Sequence, residues 1–86
     1  MDQSDLMDVI ELIESECRSY RSASMMASAP AQRGHYAQCA RREATVLRQV
    51  RHELARGRRK LAPRRINACI NQLLDAQMDV YSERLV

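Results

Sequence analysis

The chain of 86 residues contains neither phenylalanine nor tryptophan, and only three tyrosines. Its interior must therefore be filled by Leu, Ile, Val and Met, which contribute less apolar area per residue than large aromatic rings. A domain this short also buries a smaller share of its surface than a larger one, so help from a second chain is expected. The cysteines, Cys17, Cys39 and Cys69, are odd in number, widely spaced and set in helix-like segments. That excludes the pattern of a small disulfide-stapled secreted domain and points to reduced thiols in cytoplasm. No apolar run near the acidic N-terminus is long enough for a signal peptide or a membrane span, so neither export by that route nor integral membrane residence is expected.

What the chain does have is segregated charge. The net charge of +3 conceals an N-terminal stretch bearing Asp2, Asp5, Asp8, Glu11, Glu14 and Glu16 without a base, followed by a centre rich in arginine. The bases peak at Arg56, Arg58, Arg59, Lys60, Arg64 and Arg65. Such a run of like charge repels itself unless an anion lies close by.

Apolar periodicity predicts three helices in one all-α domain. Leu6, Val9, Ile10, Ile13, Cys17 and Tyr20 share one face of a first helix that starts near residue 4, capped by Ser4, and runs to about 21 or beyond. Residues 22–34 lose that pattern and hold Pro30 and Gly34, which predicts a connection whose first half remains helical. A second helix over about 35–56 places Tyr36, Cys39, Ala40, Val46, Leu47, Val50 and Leu54 on its apolar face, and Gly57 ends it. After a basic turn at 57–62, Pro63 opens a third helix running to about 85. The third helix carries Ile66, Cys69, Ile70, Leu73, Val80 and Tyr81 on one stripe and Leu74, Met78 and Leu85 on an adjoining one. That second stripe needs a cover, from helix one, another subunit or a partner protein.

The short basic turn predicts an antiparallel hairpin of helices two and three. Setting Leu54 level with Ile66 brings Val50 to Ile70, Leu47 to Leu73 and Ala40 to Val80, all apolar matches. The same register brings Glu43 to Gln77, an interhelical polar pair in an otherwise apolar seam. It reads either as a specificity device or hydrated structural contact, or as a contact reserved for a partner.

Three readings of the basic cluster stay open. In an up-down-up arrangement, the acidic start of helix one lies at the same end as the basic turn and could neutralise it, within the chain or across a dimer. Alternatively, Arg56, Arg58, Arg59, Lys60, Arg64 and Arg65 bind phosphates of nucleic acid, although stacking aromatics, zinc spacing and a zipper continuation are missing. An acidic protein or anionic lipid surface would fit the same cluster.

No catalytic, metal or nucleotide motif is present. His35 and His52 lack ligand-spaced companions, and the cysteines sit on or beside apolar faces as small hydrophobes. Met25 and Met26 suit gap filling or a grip on a partner helix. The passage from Val46 to Tyr81, with HELARG closing one helix and Pro63 opening the next, resembles two unrelated groups of small bacterial proteins. These are the hairpin co-chaperones of type III secretion needle subunits, and the small dimeric connector regulators of biofilm and acid resistance. The resemblance implies a bacterial chain that works by burying helical surface against another protein.

The expectation is thus a cytoplasmic, non-enzymatic interaction module: an adaptor, regulator or chaperone-like protein, assembled as a homodimer or hetero-complex. Leu74, Met78, Tyr81, Leu85, Ile10 and Ile13 would form the interface. No cofactor, metal or small-molecule substrate is implied. The alternative is a small basic transcriptional regulator that binds nucleic acid through the Arg56 to Arg65 cluster.

Overall fold

The computed structural model describes residues 2–56 and 61–82. They form three helices, α1 (Gln3–Met26), α2 (Pro30–Arg56) and α3 (Pro63–Ser82), packed against one another, with no strand among the described residues. The all-α class and the α2/α3 hairpin follow the apolar periodicity.

The N-cap of α1 is Asp2 rather than Ser4. Asp2 Oδ1 accepts from the Asp5 backbone N–H at 3.0 Å, and Asp5 Oδ2 accepts from the Asp2 N–H at 2.9 Å. This reciprocal box satisfies two backbone donors with carboxylates, which also suit the positive end of the helix dipole.

The connection expected over 22–34 shrinks to Ala27, Ser28 and Ala29. Ala and Met in residues 23–26 are strong helix formers and simply continue α1. Pro30 opens α2 instead of breaking a helix, because the first helical position needs no N–H. Gly34 consequently lies inside α2. The corner is braced by the Ser24 hydroxyl, which donates to the Arg33 carbonyl at 2.9 Å, and by the Arg33 guanidinium, which donates to the Ser28 carbonyl at 3.2 Å.

The tight corner makes α1 and α2 a long antiparallel hairpin with the most extensive interface of the three, and α3 packs against both. Leu6, Ile10, Ile13 and Cys17 of α1 meet Leu47 and Val50 of α2 and Ile66, Cys69, Ile70 and Leu73 of α3 in one buried cluster. Leu54 and Leu61 pack against it, half-buried. Each fully buried Leu or Ile contributes roughly 1.5–3 kcal/mol of transfer free energy. α3 is described to Ser82, so the predicted continuation to about 85 lies outside the described residues, as does residue 57, expected to end α2.

Candidate functional site

The residues expected to form an interface separate into two groups. Ile10 and Ile13 are core side chains, 3% and 0% exposed, and cannot be offered to a partner while the bundle is intact. Their spacing marked a buried face without saying what buries it, and α2 and α3 do so. Leu74, Met78 and Tyr81 follow one another at single-turn steps along α3. Leu74 is half-buried against the core, whereas Met78 is 68% and Tyr81 59% exposed. Leu85 lies outside the described residues.

Tyr81 also belongs to a polar cluster where the three helices meet. Among the described residues, Glu43 of α2 is the one ionisable acid or base buried in the core, 0% exposed. Glu43 and Gln77, expected as an interhelical polar pair, are not hydrogen-bonded to each other. Gln77 Nε2 donates instead to Glu16 Oε1 of α1 at 2.6 Å, and the Tyr81 hydroxyl donates to the same oxygen. Both Glu43 oxygens and Glu16 Oε2 lack a donor when the two carboxyls are ionised. A proton on Glu43 answers two of these three oxygens, because the acid can then donate to Glu16.

Burial, the Glu16 hydrogen bond and the Glu16 charge together push Glu43 up to about 8. Burial is also the largest influence on Glu16 and works to raise it. The hydrogen bonds from Glu43, Tyr81 and Gln77 outweigh that effect and hold Glu16 below its ordinary value. The cluster is therefore a carboxylate and a carboxylic acid sharing one proton. Cys17 and Tyr20 feel the same surroundings: burial first, then the Glu43 charge, raise the thiol to about 11 and the phenol to about 12. In the sequence Glu16 is one member of an acidic run, and only the helix crossing shows that it turns inward.

The charged surface is organised differently from the expected acid-to-turn neutralisation. Glu14 pairs with Arg51 of α2, and with Arg18 of its own helix at 4.0 Å. Arg65 is met by Glu53 of α2 at 3.8 Å. Among the described residues, no ion pair joins Asp2, Asp5, Asp8 or Glu11 to a base. Arg56 and Arg64 are exposed, and positions 58–60 of the basic cluster, Arg58, Arg59 and Lys60, lie outside the described residues.

A second basic feature emerges from the α1/α2 crossing. Arg18 and Arg21 of α1 and Arg41, Arg48 and Arg51 of α2 line a groove that includes Cys17, Ala40, Ala44 and Leu47, with Glu14 as its only carboxylate among the described residues. No α3 residue contributes to it. The spacing of 41, 48 and 51 places those arginines on one side of α2, a signal masked in the sequence by the denser run at 56–65.

No group of three or more His, Cys, Asp or Glu among the described residues is placed to hold a metal ion. His35 Nε2 lies 3.7 Å from Cys39 Sγ, but that thiol is only 1% exposed. No disulfide joins the three buried cysteines. No described helix is long and apolar enough to cross a membrane. The chain matches no protein-family model, and comparisons with curated proteins and with solved structures likewise found no match.

Proposed function

We propose that this chain is a non-enzymatic helical interaction module that presents the outer strip of α3 to another protein, acting as an adaptor, regulator or co-chaperone. The reading rests on the exposure of Met78 and Tyr81 in line with Leu74, whose other side packs on the core. A protein surface there would complete the burial of large apolar side chains that the bundle leaves in water. Three buried cysteines with no disulfide between them suit a reducing compartment such as the cytoplasm.

The test is affinity capture from the native cell, comparing the natural chain with a Leu74→Glu/Met78→Glu variant after nuclease treatment. The natural chain should retain a stoichiometric protein partner that the variant loses, while the variant keeps its helical circular dichroism. Equal capture by both chains would remove α3 as the contact face.

Exposed Arg56 and Arg64 favour a second reading, a small nucleic-acid-binding regulator. It requires binding to random-sequence duplex that weakens steeply with salt, by about one logarithmic slope unit per phosphate contacted. No binding at low salt would remove the duplex version of this reading.

A further inference from the structure

The groove-side edge of α1 has an internal symmetry. At 100° per residue, Met7, Glu11, Glu14, Arg18, Arg21 and Met25 fall within a sector of about 80°. Glu14, Arg18, Arg21 and Met25 line the groove. Met7 and Glu11 continue the same edge and are exposed. Read outward from position 16, this edge is complementary to its own reverse: 14 and 18 are acid and base, 11 and 21 are acid and base, 7 and 25 are both Met.

We infer that this edge, with the adjoining α1/α2 groove, is a docking surface for a second copy of the chain, the two α1 helices running antiparallel about a twofold axis level with position 16. Each Glu11 then meets Arg21 of the other copy, each Glu14 meets Arg18, and the Met7 and Met25 side chains close the two ends. The contact is isologous, so it closes at a dimer. From 7 to 25 it spans about 27 Å of helix.

The arginines of the groove suit an occupant that brings carboxylates. Its end nearest the corner is lined by Arg21, Arg41 and Arg48, with no carboxylate among the described residues. Among the described residues, none of these arginines forms an ion pair. The second copy's Glu11 would be brought to that end. Glu11 likewise has no basic partner within the described chain, so one contact answers both. Ala37, Ala40 and Ala44 line this part of the groove with small side chains, which permits close helix approach. The surface is separate from the α3 strip and does not depend on what α3 binds.

Sedimentation of the full chain over a wide concentration range tests the inference. The natural chain should sediment as a dimer that weakens with salt. Glu11→Arg and Arg21→Glu each place like charges at two symmetry-related contacts, and each should raise the dimer dissociation constant about 10-fold or more, with helical content retained. An equimolar mixture of the two variants should recover the dimer, because every mixed contact again joins acid to base. The doubly exchanged chain, Glu11→Arg/Arg21→Glu, should dimerise unaided. A natural chain that stays monomeric throughout, a dimer indifferent to both reversals, or variants that fail to recover on mixing would each overturn the inference.

Discussion

Glu43 is where burial and charge conflict most directly. Its acid form is favoured in the folded state up to about pH 8, whereas in the unfolded chain it ionises near the ordinary value of 4.5. Between those values the folded protein holds a proton that the unfolded chain has released. Stability from Glu43 is thus fully present below 4.5 and declines as pH rises toward 8. Glu16 works in the opposite sense, since its depressed value gives stability that is lost only as pH falls below the ordinary range. The pair is best satisfied in mildly acid solution, with one carboxyl protonated and one ionised. Glu43→Gln keeps a donor toward Glu16 and removes the titration. It should match the natural chain near pH 5 and exceed it at pH 8 by on the order of 2 kcal/mol, as read from urea unfolding at the two pH values. Parallel pH profiles for the two proteins would rule out the shared proton. The central position of Glu43 on its face was legible from periodicity. Its true partner was not, because Glu16 comes from a helix whose rotation about its axis depends on three-body packing.

Among the helices, α2 shows how far local signals reach. Its apolar stripe from Cys39 to Val50 was readable, and the helix is described as far as Arg56. Its beginning departs from the expected start near 35, because neither Pro30 nor Gly34 breaks the helix here. Pro30 is compatible with a first turn, and Gly34 is tolerated inside α2, where it occupies ordinary helical backbone. A Cβ built at Gly34 meets nothing within 4 Å. Gly34→Ala should accordingly raise stability by about 0.5–1 kcal/mol, seen as a higher urea midpoint with unchanged slope, because alanine restricts the unfolded chain and favours the helix. A loss of stability would mean that residues 30–34 do not sit in α2 in solution. The capping box at Asp2 and Asp5 was similarly within reach, since both carboxylates have the required spacing. Ser4 competed for the same role on chemistry alone.

The whole molecule rests on a core shared by all three helices, and Leu47 is one of its α2 contributors, 4% exposed. Leu47→Ala should cost about 2–4 kcal/mol in chemical unfolding. Met78→Ala, on the exposed strip, should cost only a few tenths of a kcal/mol in the isolated chain. If the two substitutions cost the same, the division between core and presented surface is wrong. The asymmetry also follows from topology: a three-residue corner binds α1 to α2 along most of their length, and α3 then covers one side of that hairpin and leaves the arginine-lined side open.

The sequence by itself determined the all-α class, the three helices and most of the buried faces, because helical periodicity is a local property written in the spacing of apolar residues. It also determined that acids and bases occupy different stretches. Tertiary structure alone decided which charges meet. An ion pair or a shared proton depends on separations of a few ångströms between helices, and these are set by crossing geometry and axial rotation rather than by spacing along one chain. That is why Glu14 reaches Arg51, Glu16 turns inward to Glu43, Gln77 and Tyr81, and Arg65 is answered by Glu53 and not by α1.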